Sequence, residues 1–318
     1  MDNNSKRYQK ERQNDNKRCI SSRSLSIFKI ILILFLFISN NQLKQKYIEE
    51  LKYHFLNINK YKQTIKLNEK GILLLFPNNK KKAVIETKNG TIYKSDILFL
   101  VIPGGSYRKH GKSEMYPVVK KFYSLGYSTA LLKYSFYPKI FPTNYNQGLN
   151  AIEILSSKFK KIILVGFSAG GHLAGMLGTT ERDKLYNTIG MILCYSVISF
   201  VNKTHKESRR NFLGHENENN EELQKMYSIE NRVNNKTLPT FIWTIKNDKV
   251  VPYENTLFMI EKLKENNVTF EYKIYENGRH GMGVADTMSY GIKEYKNEEV
   301  AKWVELACKF FETLIKNN

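Results

Sequence analysis

From residue 97 to residue 315 the chain alternates short aliphatic runs with segments of helical period, and few folds accept that order. Runs at 97–102, 128–134, 161–165, 189–196, 240–245 and 269–275 have strand length, and most lack polar alternation, as strands buried on both faces do. Helix-period segments at 115–125, 144–159, 254–266 and 298–315 separate them. Strand, helix and strand in succession make a right-handed crossover to a parallel neighbour. The predicted fold is therefore α/β, with a mostly parallel central sheet and helices on both faces. An antiparallel pair at 71–76 and 82–93 is expected to open it. The polar stretch 202–236 breaks the alternation and is predicted to form a small cap insertion at the sheet's C-terminal edge, where ligands bind in open α/β sheets.

The first part of the chain reads differently. Residues 1–24 are polar and basic, carrying Lys6, Arg7, Lys10, Arg12, Lys17, Arg18 and Arg23. The apolar run 25–38 follows, interrupted by Lys29. As a helix it would span roughly 21 Å, short of the roughly 30 Å hydrocarbon core. With fewer basic residues after it (Lys44, Lys46, Lys52), segment 25–39 is read as a signal peptide or short signal anchor. The expected location is the secretory pathway, secreted or membrane-anchored, with a cytoplasmic protein as the alternative. Leu43, Tyr47, Leu51 and Phe55 recur every four residues, predicting a helical lead-in over 40–65 before a catalytic domain at 66–318.

Composition narrows the function classes. A hydrophobic fraction of 42% with 13% aromatics supports a substantial core. The net charge of +20 is spread along the chain with no basic block interleaved with aromatics, so no nucleic-acid partner is expected. Cys19, Cys194 and Cys308 make neither a metal spacing nor a disulfide framework. His54, His110, His172, His205 and His215 form no H-x-x-x-H pair, so no metal or other cofactor is expected.

The chemistry concentrates in one turn. The run 161–165 leads into Gly166-Phe167-Ser168-Ala169-Gly170, and Leu173, Ala174, Met176 and Leu177 then fall on one face of a helix. A G-x-S-x-G pentapeptide between a strand and a helix is a nucleophile elbow, and Ser168 is its candidate nucleophile. Such a serine needs a base, an orienting acid and donors for an oxyanion. Asp248 follows the strand at 240–245, and His280, flanked by Gly278 and Gly281, follows the strand at 269–275. Ser168, Asp248 and His280 thus occur in the chain order of such a triad. Pro103-Gly104-Gly105-Ser106-Tyr107 ends the strand at 97–102, so Gly104, Gly105 and Ala169 are the candidate oxyanion donors. Tyr107, Tyr134 and Phe136 are candidate substrate contacts, with core packing as the competing account. His172, on the elbow helix, is read as structural.

The stretches "IPGGSY", "LLKYSFYP", "GFSAGGHLAG", "CYSVISF", "FIWTIKNDKVVPYENTL" and "IYENGRHGMGVA" resemble, in that order, the acetyl-xylan-esterase-like and feruloyl-esterase-like branch of the α/β-hydrolases. The resemblance runs from about residue 70 to the C-terminus. It implies an α/β-hydrolase fold and a serine esterase acting on short-chain acyl esters of a small molecule, acetyl esters among them, without a cofactor. It also implies the same triad and oxyanion donors. Two departures stand out: Ser106 replaces a third glycine, and Asn247-Asp248 stands where the family often has two aspartates. An amidase or formamidase using the same triad, and a non-catalytic binding module on a hydrolase fold, are the alternatives.

Overall fold

The computed structural model describes residues 57–80, 83–136, 141–286 and 295–317. The tail, the apolar run 25–38 and most of the lead-in lie outside the described residues, among which no helix is long and apolar enough to cross a membrane.

Eight strands form the central sheet: β1 (Gln63–Lys66), β2 (Ile72–Phe76), β5 (Ile97–Ile102), β6 (Ser128–Lys133), β7 (Lys161–Phe167), β8 (Thr188–Cys194), β9 (Thr240–Ile245) and β10 (Phe270–Tyr275). Their spatial order is β1-β2-β6-β5-β7-β8-β9-β10. β2 runs antiparallel to both β1 and β6, and every pairing from β6 across to β10 is parallel. The parallel core follows from composition. All six residues of β5, Ile-Leu-Phe-Leu-Val-Ile, are buried, as a strand covered on both faces must be. β10, at the edge, leaves Glu271, Tyr272 and Lys273 exposed.

Helices α1 (Tyr116–Ser124), α2 (Thr143–Ser156), α3 (Ser168–Gly178), α4 (Lys206–Leu213), α5 (Glu221–Tyr227), α6 (Glu254–Glu265), α7 (Glu298–Ala301) and α8 (Trp303–Asn317) complete the unit. In α8, Trp303, Val304, Ala307, Cys308, Phe310, Phe311 and Ile315 are buried. Each large apolar side chain so placed contributes about 1.5–3 kcal/mol of transfer free energy. Trp303 stacks on Trp243 of β9 with centroids 5.4 Å apart and meets Phe167 edge-on at the elbow.

Two expectations at the start of the domain fail. The run 82–93 does not pair with 71–76: it folds on itself as a separate hairpin of β3 (Val84–Thr87) and β4 (Gly90–Tyr93). Asn89-Gly90 is the cause. Gly90 adopts φ +116°, and the Thr87 hydroxyl donates to its carbonyl at 2.6 Å. β2 pairs instead with β1, which begins inside the stretch read as a helical lead-in. Gln-Thr-Ile-Lys is too short and polar to announce a strand, and the ladder to β2 makes it one.

Candidate active site

The elbow is built by its glycines. Ser168 sits at φ +50° as the first residue of α3, directly after β7. A Cβ on Gly166 would come within 2.6 Å of the Gly170 carbonyl, and one on Gly170 would press on the carbonyls of Ile102 and Pro103. The bend therefore closes only with hydrogen at both positions. The strained φ holds the Ser168 side chain off the sheet, in a conformation uncommon for a non-glycine residue.

Asp248 and His280 arrive from neighbouring strand ends. Asp248 follows β9, and its Oδ1 accepts the N–H groups of Val250 at 2.8 Å and Val251 at 3.1 Å. Its Oδ2 accepts from His280 Nδ1 at 2.7 Å. The carboxylate can only accept, so Nδ1 carries the proton and Nε2 is left as an acceptor. His280 Nε2 lies 2.8 Å from Ser168 Oγ. The Asp248 side chain is fully shielded from solvent and that of His280 is 15% exposed. The three residues predicted from chain order are thus brought into one hydrogen-bonded line. Asn247 points elsewhere: its Oδ1 accepts Gly278 N–H at 3.1 Å and its Nδ2 reaches Asn277, bracing the histidine loop.

The glycine-rich loop divides its peptide groups between structure and site. Gly104 is not a free donor: its N–H is bound at 2.7 Å by Oε2 of Glu114. The Gly104 carbonyl accepts Gly111 N–H at 2.8 Å. In a trans peptide the N–H opposes the C=O, so that bond turns the Gly105 N–H the other way. Among the described residues neither the Gly105 nor the Ala169 N–H has a partner. Ala169 is in the first turn of α3, where the N–H groups have no intrahelical acceptor. A Cβ on Gly104 would lie 2.7 Å from that of Ser168, which fixes how closely the loop passes the nucleophile.

Tyr107 and Tyr134, read as substrate contacts or as core packing, take the second place: both are core residues. Both are buried; Tyr107 shares a hydrogen bond with His172 Nδ1 at 2.7 Å, and the Tyr134 hydroxyl donates to the Pro103 carbonyl at 2.7 Å. Phe136 is 37% exposed and packs edge-on against His110. His172 is internal: Nε2 donates to the Tyr227 carbonyl at 2.8 Å, and burial lowers its pKa to about 3.

Sequence reasoning gives no role at the site to three of its neighbours. Glu114 is buried beneath Gly104, and burial raises its pKa. Tyr195, just past β8, donates to Glu114 at 2.9 Å and packs against the His280 ring with centroids 4.9 Å apart. His205 caps α4 through Ser208, and burial with repulsion from His280 lowers its pKa. The insertion carrying α4 also meets the glycine-rich loop, where Asn211 Nδ2 donates to the Ser106 carbonyl at 2.7 Å. A cavity of ≈ 1090 Å³ lined by Thr179, Met226, Glu230, Arg232, Phe258 and Lys262, among others, includes none of the three aligned residues.

This geometry has relatives. Endo-1,4-beta-xylanase B of Butyrivibrio fibrisolvens is 33% identical over 208 residues, 59% of this chain and 32% of that protein. An acetylxylan esterase of Xylanibacter ruminicola is 32% identical over 130 residues, 40% of this chain and 27% of that protein. The chain thus spans about a third or less of the length of these curated relatives. An acetyl ester-xyloside bifunctional hydrolase from Caldicellulosiruptor lactoaceticus superposes with a TM-score of 0.64 at 29% identity, covering 79% of this chain and 91% of that one. Residues 150–312, just over half of the sequence, match the prolyl oligopeptidase family and include the elbow and both partners of Ser168. The chain belongs to the prolyl oligopeptidase family, with an α/β-hydrolase fold and its resemblance in the acetyl-xylan-esterase-like branch.

Proposed function

We propose that the protein is a serine carboxylic-ester hydrolase acting on short-chain acyl esters, acetyl esters foremost. One observation carries the reading: His280 spans Ser168 and Asp248 with hydrogen bonds of 2.8 and 2.7 Å, at an elbow where two N–H groups stand unpaired. Ser168 Oγ attacks the ester carbonyl while His280 Nε2 takes its proton. Asp248 keeps the imidazole oriented and stabilises its charged form. The tetrahedral oxyanion is received by the N–H groups of Gly105 and Ala169, with Gly104 holding the loop rather than donating. Protonated His280 then gives its proton to the leaving alkoxide, leaving an acyl-enzyme on Ser168. Water deprotonated by His280 releases the acid and restores the serine.

The acetyl preference is supported by the relatives, an acetylxylan esterase and an acetyl ester-xyloside bifunctional hydrolase. The test is a panel of p-nitrophenyl esters from acetyl to long chain, run beside a formamide substrate. The highest kcat/KM is expected for acetyl. A higher value for the formamide would move the assignment to an amidase, and a rising trend with chain length would make the enzyme lipase-like. As a further proposal, the segment at 25–38 directs the chain to the secretory pathway. A full-length chain that is protease-accessible in the cytosol would refute it.

A further inference from the structure

Glu114 is a buried carboxylate beside the aligned residues, and the mechanism above gives it no part. Among the described residues it forms no ion pair. Its Oε2 holds Gly104 N–H at 2.7 Å and its Oε1 accepts the Tyr195 hydroxyl at 2.9 Å. The Tyr195 oxygen in turn accepts Gly283 N–H at 3.0 Å. Gly283 lies three residues after His280, and its carbonyl accepts the Trp303 indole N–H at 3.1 Å.

We propose that Glu114 is a positioning residue of the hydrolase, locking the loop that presents the Gly105 N–H to the loop that presents His280. The inference rests on the esterase reading and deepens it.

The peptide planes explain why the lock matters. The Pro103–Gly104 peptide is held at both ends, its carbonyl by the Tyr134 hydroxyl and its N–H by Glu114. The next peptide is held through its carbonyl by Gly111, the residue from which the turn carrying Glu114 begins. Release of Glu114 leaves the first plane held only through the Tyr134 hydroxyl, so it can tilt, and the Gly105 N–H shifts with the second. On the other side, the Ser113 hydroxyl donates to the Gly281 carbonyl at 2.7 Å, and a Cβ on Gly283 would run into the Ser113 backbone. The two loops therefore meet along residues 113–114.

Stability alone does not call for a carboxylate here. Burial penalises its charge, and an apolar side chain would fill the space without that penalty. What an apolar side chain lacks is a pair of coplanar acceptors, one for each loop.

The test compares Glu114→Ala, Glu114→Gln and Tyr195→Phe in the full chain, by p-nitrophenyl acetate kinetics and thermal unfolding. Glutamine keeps an acceptor, Oε1, for Gly104 N–H but meets the Tyr195 hydroxyl with an amide N–H where a carboxylate oxygen accepted, so Glu114→Gln is expected to lower kcat by less than about tenfold, well short of Glu114→Ala. Glu114→Ala is expected to lower kcat about a hundredfold or more with KM within about threefold, as when an oxyanion donor is lost. Tyr195→Phe, keeping its ring, is expected to lower kcat about tenfold and to be non-additive with Glu114→Ala. A role confined to stability would lower the unfolding temperature and spare kcat. Folded Glu114→Ala with wild-type kcat, or a loss carried by KM, overturns the proposal. If Glu114→Ala does not fold, Tyr195→Phe with unchanged kcat overturns it and the tenfold loss supports it. A wild-type protein that neither hydrolyses the ester nor reacts with a fluorophosphonate overturns the esterase reading itself, and this inference with it.

Discussion

At the scale of single residues, adjacent side chains have separate tasks. Asp248 is the partner of His280, while Asn247 ties down the loop on which His280 rides. Asp248→Asn removes the charge that stabilises the imidazolium and favours the wrong tautomer, so kcat is expected to fall about 10⁴-fold, read by p-nitrophenyl acetate turnover. Asn247→Ala loses only bracing bonds at the loop's surface and is expected to lower kcat by less than about tenfold. Equal losses in the two variants would contradict the separation. Ser168, Asp248 and His280 were legible in the sequence because each follows a strand and the sheet order does the rest. Glu114 was not. Its place beneath Gly104 depends on a single turn of 3₁₀ helix at Lys112–Glu114, and no periodicity marks it. Tyr107 and Tyr134 stay open between ligand contact and core packing for a related reason: sequence does not show whether a tyrosine hydroxyl is satisfied inside, as both of these are.

At the scale of elements, the elbow helix is the part with least tolerance. Gly171 faces Ser196 so closely that an added Cβ would overlap its hydroxyl and lie 2.5 Å from its Cβ. Because α3 begins at Ser168, a shift of the helix moves the nucleophile. Gly171→Ala is therefore expected to destabilise the fold by about 1–3 kcal/mol net of its helix-propensity gain, measured by urea unfolding, and to lower kcat. A variant as stable and active as wild type would show that the contact relaxes freely. The buried strands β5 to β9 were legible from their aliphatic runs. β1 and the β3–β4 hairpin were not, since pairing partners and one Asn-Gly turn decide them rather than local pattern.

At the scale of the whole molecule, buried His172 and half-buried His110 weaken the fold in acid. Burial lowers the pKa of His172 to about 3 and that of His110 to about 4, each from an ordinary 6.5. A depressed folded pKa means that the unfolded chain binds protons the folded one refuses. The stabilisation is present above about pH 6.5 and is lost as the pH falls toward 4 and then 3. Glu114 and Glu230, whose pKa values burial raises, act in the opposite sense, favouring the fold at acid pH. His172→Gln keeps one acceptor for Tyr107 and one donor for Tyr227 but does not titrate. Its unfolding free energy is expected to fall less steeply between pH 6.5 and 4, by about 1.4 kcal/mol per pH unit relative to wild type. Urea unfolding at pH 7, 6 and 5 measures the slopes, and identical slopes would contradict a neutral, buried His172.

Everything in the proposed chemistry requires Ser168 to be the nucleophile, activated by His280. Fluorophosphonate labelling followed by peptide mass analysis tests it most directly. The wild-type chain is expected to carry one adduct, on the peptide containing Ser168, with none on Ser168→Ala and much slower labelling of His280→Ala. An adduct that persists in Ser168→Ala, or a folded wild-type protein that never reacts, would contradict it.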